Sequence, residues 1–593
     1  MLLPQCPSYF RKNIVVLTII AGLIGSISSH ALEPIRYVAT GARIGVYTQN
    51  TDTEKTAYWH RTPHQLGGPV SEMQIGFMNW LLSYSVEAAN SSEVTIEYAW
   101  LERASDGQVV PITFSGSRSL VMPANDTEPY WLADPIDSSV WTSGTPQRDE
   151  VFWLNIKGSI PASGKVCQGN PTGYSGSKFI LYDPANGPGS YDTTGPVPSI
   201  TGQYARTRGL PTMFLGRFTE PGYPSVIGIG DSILDGSGDA TSSYSTISGF
   251  GFFCRAAVDE DGKNTIATFN LTRHGATTTA LLKASNPRQA HFLKYANVAV
   301  EEYGTNDLGS NGTGDVSEIL GRLEDIWTLC RNAGIQKIIR TKLMPRTISA
   351  SYDWVSLADQ SPNTGWGDAS QGDSGKRDAL NAALQTSFNN GDIDLLLDTL
   401  TPLADPTDDH YWFTNGTNDY MTKDGTHLNG TSNAIIAIIL REALLSLTVD
   451  ENAPRYSSWA EAIDWAGEDD SPEADPNHDG ITNAMAYAFD LPPLATIPAS
   501  ARPYATYDST SENGPWLNFI FRQNVNAEDV IFNYLSTTNL KDNWSTLVTD
   551  DIEIIEETID PDPDGDGSAV LKKLRIKLAS EDTQRFLKLE LTL

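Results

Sequence analysis

The sequence has few cysteines, and this excludes a disulfide-rich scaffold. Only 4 of its 593 residues are cysteine, and Cys6 lies before the apolar run near the N-terminus. Removal of that segment would leave Cys167, Cys254 and Cys330, an odd number without the spacing of metal ligands. At most one disulfide can therefore form, and buried free thiols account for the three residues equally well.

Positive charge is also scarce. Lys and Arg together number 41 against 73 Asp and Glu, which gives a formal net charge of −32. So acidic a chain is repelled by phosphate backbones and by anionic lipid. We therefore expect no nucleic-acid partner, and we interpret the acidic surface as one that keeps an exported protein in solution.

Long hydrophobic runs are missing after the N-terminal segment. That segment has Arg11 and Lys12, then an apolar run over 14–24, then Ser29-His30-Ala31, which has the small-x-small pattern of a cleavage site. The run is short for a bilayer span, and no later stretch is long enough. The pattern predicts a signal peptide over 1–31, a secreted or periplasmic protein, and no membrane span after cleavage.

Three further regions differ in their pattern, as expected for a chain too long for one hydrophobic core. Residues 32–215 alternate apolar and polar residues between turn residues, which predicts a β-sandwich. Residues 222–449 alternate short apolar strands with helical segments, which predicts a three-layer α/β/α domain with a parallel sheet. Residues 453–593 are first acidic and then alternating, which predicts a small C-terminal β domain. The helical spacing of the middle region falls at 280–283, 316–333, 376–388 and 432–445.

Two motifs of the middle region supply a nucleophile and a base. Gly230-Asp231-Ser232 follows an apolar strand, which sets the Ser232 hydroxyl at the strand exit. Asp424 stands three residues before His427, at the start of a helix, where a carboxylate can accept the Nδ1 proton and leave Nε2 facing a serine. Ligands of parallel sheets bind beyond the carboxyl ends of the strands, where both motifs are expected.

Two more motifs supply hydrogen-bond donors. Gly275 follows the strand that ends near Asn270, and a glycine there lets the backbone approach a substrate. Asn306, in Gly-Thr-Asn-Asp, follows the next strand, and its amide can donate to a developing oxyanion. Second copies of three motifs lie at 372–374, 416–419 and 475–478, but none of them follows a strand of the predicted sheet.

Taken together over about 225–447, the ordered motifs resemble the SGNH (GDSL-type) hydrolase superfamily. The resemblance implies ester hydrolysis through an acyl-enzyme, with Ser232 as nucleophile, His427 as base and Asp424 as its orienter. It also implies an oxyanion hole of the Ser232 and Gly275 N–H groups and the Asn306 amide, and no cofactor for catalysis. We expect an ester-bearing extracellular substrate such as an acetylated polysaccharide. A lipase or arylesterase, or an inactive carbohydrate-binding protein, are the alternatives.

Aromatic residues near the predicted site allow two interpretations. An insertion at about 346–374 carries Trp354 and Trp366, and three aromatic residues at 411–413 precede the Asp-His turn. Their rings can stack on sugars or line an acyl pocket, or they can pack in the core. The pattern does not favour either.

One segment of the C-terminal region resembles the calcium loops of dockerin- and thrombospondin-type modules. Asp475, Asn477 and Asp479 stand at alternate positions with the turn glycine Gly480 at the sixth. The twelfth position, where a bidentate Glu is expected, is Ala486. The resemblance implies a structural calcium ion, and the missing ligand opposes it. The region as a whole resembles accessory β-modules of exported bacterial hydrolases.

Overall fold

The structure is a computed structural model. It describes residues 34–239, 247–309, 312, 314–363, 375–447, 449, 460, 463, 465, 468–469, 471, 474–498, 501–508, 516–524, 527, 530–537, 545–546, 554–560, 569–577 and 586–592. The predicted signal peptide, Trp366 and the second Gly-Asp-Ser copy lie outside these residues. Ile35–Asp450 form one compact unit, and the described residues after 450 belong to a second unit.

The N-terminal part of the first unit is a β-sandwich. A seven-stranded antiparallel sheet, ordered β10-β8-β13-β4-β15-β16 with β9 beside β8, packs against β5 and β17. Ile75, Phe152 and Phe214 are fully buried in the core between these layers, which confirms the predicted sandwich. The strands are β1 (Arg36–Tyr37), β2 (Ala42–Arg43), β3 (Tyr47–Asn50), β4 (Ala57–Gln65), β5 (Val70–Phe77), β6 (Trp80–Ser83), β7 (Val86–Ala89), β8 (Val94–Arg103), β9 (Val109–Ile112), β10 (Leu120–Met122), β11 (Trp131–Leu132), β12 (Ile136–Asp137), β13 (Val151–Ser159), β14 (Lys165–Gln168), β15 (Lys178–Tyr182), β16 (Tyr204–Arg206) and β17 (Thr212–Phe218).

The following part is the predicted α/β region. Its helices are α1 (Gly251–Ala256), α2 (Thr279–Leu282), α3 (Thr305–Leu308), α4 (Val316–Asn332), α5 (Lys376–Asn390) and α6 (Gly430–Ser446). Its strands are β18 (Ser225–Ile229), β19 (Ala267–Asn270), β20 (Val298–Glu301), β21 (Lys337–Thr341), β22 (Thr347–Ser349), β23 (Gln360–Pro362), β24 (Leu395–Leu397), β25 (Ala404–Asp405) and β26 (Asp408–Trp412).

Five parallel strands in the order β19-β18-β20-β21-β24 form the centre of this region. In chain order this is 2-1-3-4-5, the arrangement of doubly wound sheets. Every residue of β18 is buried, because helices cover both faces. Val226 packs on the side of α1 and α6, and Ile227 on the side of α4. The predicted three-layer α/β/α fold is therefore confirmed.

One sheet passes through both parts of the first unit. Strand β17 pairs antiparallel with β5 and β2, and β2 pairs in parallel with β19 through Ala42 and Phe269. Residues 32–215 and 222–449, which the sequence pattern predicts as two domains, lie in one compact unit and share this sheet. Alternation along a strand indicates its exposed face but not its partner, so the shared sheet left no mark in the sequence pattern.

The second unit contains two small antiparallel sheets, ordered β27-β28-β32-β31 and β30-β29-β33, with the short helix α7. Phe519 and Phe521 of β28 share a core with Met485 and Tyr487 of α7, as expected for a small C-terminal β domain. The elements are β27 (Tyr504–Asp508), β28 (Trp516–Asn524), β29 (Ile531–Thr537), β30 (Ser545–Thr546), β31 (Ile554–Asp560), β32 (Ala569–Lys577), β33 (Phe586–Thr592) and α7 (Asn483–Ala488).

The three cysteines of the described residues are free. Cys167, Cys254 and Cys330 are all buried, which matches the alternative of buried thiols without a disulfide. Among the described residues, no helix has both the length and the apolar character needed to cross a membrane.

Candidate active site

Ser232 lies three residues beyond the end of β18, in the centre of the parallel sheet. A tight turn sets its position, because the Asp235 N–H donates to the Asp231 carbonyl at 3.0 Å and the Ser237 N–H donates to the Ser232 carbonyl at 2.9 Å. The Asp231 side chain also accepts from the Ile233 N–H at 2.9 Å. Ser232 is only 5% exposed, so its hydroxyl stands in a site with limited water.

His427 lies in a second tight turn, directly before α6. The turn is closed by a bridge between Thr422 and Leu428 and by the Thr422 hydroxyl, which donates to the His427 carbonyl at 2.8 Å. Gly425 has φ +73°, and a β-carbon there would collide with the Thr347 carbonyl. The turn therefore needs glycine at this position.

The two turns bring the predicted nucleophile, base and orienter together. His427 Nε2 lies 2.8 Å from Ser232 Oγ. On the other side of the ring, His427 Nδ1 lies 2.6 Å from Asp424 Oδ2. The second oxygen of Asp424 accepts the backbone N–H groups of Thr426 at 2.9 Å and His427 at 2.8 Å. This is the geometry of a serine–histidine–carboxylate triad.

The Asp424 carboxylate keeps its charge over the whole neutral range. Burial would by itself raise its pKa, but the hydrogen bond from His427 and the charge of that ring outweigh burial and lower the pKa to about 2. The Asp424 side chain is nevertheless 53% exposed, so water screens its charge. Its main effect is therefore to orient the imidazole, with a smaller contribution to the stability of an imidazolium ion.

The loop after β19 carries Gly275, which has φ +73°. A β-carbon built on Gly275 would lie 2.5 Å from the Tyr84 ring, so both the backbone and the neighbouring ring require glycine here. In the part of the chain that the structure describes, the backbone N–H groups of Ser232 and Gly275 donate to no protein acceptor. Both donors remain available for a substrate oxygen.

Asn306 connects the serine turn to the Gly275 loop. Its Nδ2 donates to Asp231 Oδ2 at 2.9 Å and to the Ala276 carbonyl at 3.0 Å. The neighbouring Asp307 accepts from the Thr278 N–H at 3.0 Å and from the Thr278 hydroxyl at 2.6 Å. The structure thus brings Asn306 to the predicted hole, but both hydrogens of its amide are engaged, so it must share one of them with an oxyanion.

Replacement of Asn306 with alanine is expected to lower kcat by about 10²–10³, as loss of one oxyanion donor does in other hydrolases. The variant also loses the link between the two loops. Asn418→Ala is the matched control, because Asn418 stands in the second Gly-Thr-Asn-Asp copy, on an exposed loop. Steady-state kinetics on one acetyl ester compares the two. Equal effects in both variants, or a mild effect at Asn306, would remove Asn306 from the hole.

Asp231 and Glu302 form a pair of buried carboxyl groups next to the turn that carries Ser232. The sequence pattern does not indicate this pair. Glu302 Oε2 accepts the N–H groups of Asp231 at 3.2 Å and Leu234 at 3.4 Å. Asp231 and Glu302 are each at most 3% exposed. Burial raises the pKa of Asp231 to about 6. Burial, and then the charge of Asp231, raise the pKa of Glu302 well above its ordinary value. Glu302 is therefore the protonated member of the pair near neutral pH.

These raised pKa values predict a loss of stability as pH rises. Between the ordinary and the raised pKa the folded protein binds more protons than the unfolded chain, so the free energy of unfolding falls with pH from about 4 upward. Glu302→Gln cannot ionise, so its melting temperature should fall less than that of the wild type between about pH 5 and about pH 8. Glu324→Gln, at an exposed position of α4, is the control. If the melting temperatures of the wild type and Glu302→Gln fell equally with pH, the ionisation of Glu302 would not be the cause of the loss of stability.

Trp354 of the insertion and Trp412 before the Asp-His turn serve mainly as packing. Trp354 and Trp412 are at most 5% exposed. The Trp354 indole donates to the Thr347 hydroxyl at 2.9 Å, and the Trp412 indole donates to the Gly425 carbonyl at 3.0 Å. Both rings therefore support the turn that holds His427. Phe413 packs against the hydrophobic core that contains Trp354 and Trp412.

The second copies of two motifs do not assemble a site. The Asp475 carboxylate accepts the N–H groups of Asp479 at 3.1 Å and Gly480 at 2.8 Å. Among the described residues, His478 donates only its backbone N–H, to the Asp475 carbonyl. The copy that contains Asn418 is an exposed loop. Asn306 is distinguished by its position after the parallel strand β20, and His427 by its position directly before α6, rather than by the motifs themselves.

The predicted calcium ligands are used within their own loop. Asn477 Oδ1 accepts the Asp479 N–H at 3.1 Å, and Asp479 Oδ2 accepts the Ile497 N–H at 2.7 Å. The Arg502 guanidinium lies 3.2 Å from the same Asp479 oxygen, where a calcium ion would need a free ligand. As arranged, these residues fit a cation poorly, and calcium binding by Asp475, Asn477 and Asp479 stays a prediction.

The contacts Ser232–His427–Asp424 thus lie at the carboxyl end of the central strand of a doubly wound sheet. No family model and no curated protein matches the chain, whereas solved structures do. A GDSL-like lipase from Bacteroides thetaiotaomicron is 18% identical over 37% of this chain and 87% of that chain, with a TM-score of 0.25. A carbohydrate acetylesterase from Sinorhizobium meliloti is 12% identical over 37% and 98%, with a TM-score of 0.24.

A longer match is a family two carbohydrate esterase from Clostridium thermocellum, solved in complex with cellohexaose. It is 10% identical, covers 69% of this chain and 98% of that chain, and has a TM-score of 0.28. At such low identities and TM-scores, the functional assignment depends on the geometry of the site itself.

Proposed function

We propose that the protein is an ester hydrolase that forms an acyl-enzyme on Ser232. The observation that carries this proposal is the hydrogen-bonded series Ser232–His427–Asp424 at the carboxyl end of the central strand, with contacts of 2.8 Å and 2.6 Å. Two unused backbone N–H groups beside the serine support it. A binding protein without catalytic function has no need of this arrangement.

The reaction follows from the positions of the protons. His427 Nε2 removes the Ser232 proton as Oγ attacks the ester carbonyl, and the imidazolium then gives that proton to the leaving alcohol. Water attacks the acyl-enzyme with His427 again as base, which releases the carboxylic acid and restores the serine. Asp424 holds the tautomer in which Nε2 is the acceptor. The residues in these steps need no metal or organic cofactor.

The negative charge that develops on the carbonyl oxygen has three candidate donors. The N–H groups of Ser232 and Gly275 point to no protein acceptor among the described residues, and the Asn306 amide stands between their two loops. Donors fixed before the reaction stabilise an oxyanion without reorganisation of solvent.

The test of this function is a substrate panel on the wild type and Ser232→Ala, side by side. We expect hydrolysis by the wild type and no measurable turnover by Ser232→Ala. Ser374→Ala, in the second Gly-Asp-Ser copy, serves as the matched control and should keep full activity. Equal turnover by the wild type and Ser232→Ala would reject Ser232 as nucleophile.

We further propose that the substrate is an ester-bearing extracellular polysaccharide from which acetyl groups are removed. The N-terminal sequence supports export, and the β-sandwich joined to the catalytic sheet supports a large substrate. A secreted lipase or arylesterase is the rival. Release of acetate from acetylated glycans favours the first, whereas preference for acyl chains above about eight carbons, without action on glycans, favours the rival.

A further inference from the structure

A hairpin of the β-sandwich region reaches the catalytic loop. Strands β6 and β7 pair with Ser83 opposite Val86, so Tyr84 and Ser85 form the tip. The Ser85 hydroxyl accepts the Thr277 N–H at 2.9 Å, and Asn286 Nδ2 donates to the Ser85 carbonyl at 2.9 Å. The tip is therefore fixed to the segment that follows Gly275.

Tyr84 has an unfavourable backbone conformation at this tip. Its φ is +53°, a region that bulky L-residues rarely adopt, and the residue is 57% exposed. An exposed ring contributes little burial to offset that strain, and folding alone gives no reason for a tyrosine here. The ring nevertheless lies against Gly275, one of the two residues with an unused N–H.

Polar and aromatic groups surround the Tyr84 ring. Tyr47, which is 38% exposed, places its hydroxyl 3.1 Å from His274 Nδ1. The Arg273 guanidinium lies 4.7 Å from the Tyr47 ring centroid and 5.5 Å from that of Tyr84. Arg273 is fixed by its Nε, which donates to the Leu82 carbonyl at 2.8 Å. Two exposed rings thus flank an Arg-His pair directly before Gly275.

His274 adds a neutral hydrogen-bonding group. Burial, and then the neighbouring Arg273 charge, lower its pKa to about 4. At neutral pH its ring is uncharged and exchanges hydrogen bonds with hydroxyl groups as donor or acceptor. The surface therefore combines aromatic faces with donors and acceptors, rather than the aliphatic walls that a long acyl chain requires.

We propose that Tyr84 and Tyr47, with Arg273 and His274, form a subsite for the pyranose ring that carries the ester. This inference rests on the proposed ester hydrolysis. A pyranose has an apolar C–H face, which packs on the negative face of an aromatic ring, and an edge of hydroxyl groups, which suits the partly exposed His274. The buried Arg273 holds His274 and the two rings in place. The hairpin thereby makes the β-sandwich region a part of the substrate site.

The kinetic test compares a sugar ester with an ester that has no ring. We define the selectivity as kcat/KM for acetylated methyl glucopyranoside divided by kcat/KM for ethyl acetate. In Tyr84→Asn the selectivity should fall about tenfold, because the ring contact is lost. Asparagine tolerates positive φ, so the melting temperature should not fall. Tyr84→Phe should recover the selectivity, and Tyr204→Asn, at another exposed tyrosine that contacts Lys55, should leave both activities unchanged.

A binding measurement separates this proposal from the proposed hydrolysis. In the Ser232→Ala background, calorimetry with acetylated methyl glucopyranoside should give a Kd about tenfold weaker when Tyr84→Asn is added. This readout needs no turnover, so it judges the subsite even if the wild type hydrolyses no ester. The same Kd with and without Tyr84, an unchanged selectivity, or a loss confined to long-chain acyl esters would each overturn the subsite.

Discussion

Replacement of His427 with alanine is expected to lower kcat by about 10⁴–10⁶, because a serine hydroxyl without a base is a poor nucleophile. The base lies 2.8 Å from Ser232 Oγ, and the described site places no other group in a position to accept that proton. KM should change little, since the imidazole makes no other contact that a substrate needs. Single-turnover and steady-state rates on one acetyl ester measure the effect.

The control for this variant lies in the same chain. His478 also follows an aspartate by three residues but is exposed and belongs to the second unit, so His478→Ala should keep wild-type kinetics. Ser232→Ala combined with His427→Ala should be no worse than either change alone, because the two residues act as one unit. Additive losses would mean that the histidine acts on something other than the serine.

The Asp424→Asn variant is expected to lower kcat by about 10³–10⁴. The amide can present its NH₂ group to Nδ1, which selects the tautomer with a proton on Nε2, and that tautomer cannot act as base. The charge that stabilises the imidazolium is also lost. Because the Asp424 side chain is half exposed, water compensates part of this charge, and the loss should be smaller than for His427→Ala.

Asp475→Asn, in the second Asp-x-x-His copy, is the matched control for this variant and should leave hydrolysis unchanged. The pH profile gives a second readout. The carboxylate of the wild type is ionised down to about pH 2, so the difference between wild type and Asp424→Asn should persist across the neutral and mildly acidic range. A variant with wild-type kcat would show that Asp424 only shapes the turn.

The core of the site could be predicted because short-range patterns determine it. An apolar strand that runs into Gly-Asp-Ser and a helix that follows Asp-x-x-His are both visible in a window of about fifteen residues. The strand predicted to start at Ser225 and the helix predicted over 316–333 correspond to β18 and α4 (Val316–Asn332). Parallel strands then bring their carboxyl ends together without further information.

The parts that could not be predicted depend on contacts between distant residues. Tyr84 reaches Gly275 through a hairpin almost two hundred positions away in the chain, and its exposed ring has no periodic pattern. Glu302 directly follows β20, and its sequence position alone does not distinguish it from an exposed carboxylate at the end of a strand. Only the tertiary packing buries it. The shared sheet depends in the same way on pairing of β2 with β19, which alternation does not encode.

The most direct test of Ser232 as the nucleophile is the site at which a fluorophosphonate probe modifies the intact, folded protein. We expect a single covalent adduct, mapped to Ser232 by peptide mass spectrometry, and its absence in Ser232→Ala. The rate of labelling should drop sharply in His427→Ala, because the probe reacts only with an activated serine. An intact protein with no adduct, or an adduct on another serine such as Ser374, would contradict the assignment.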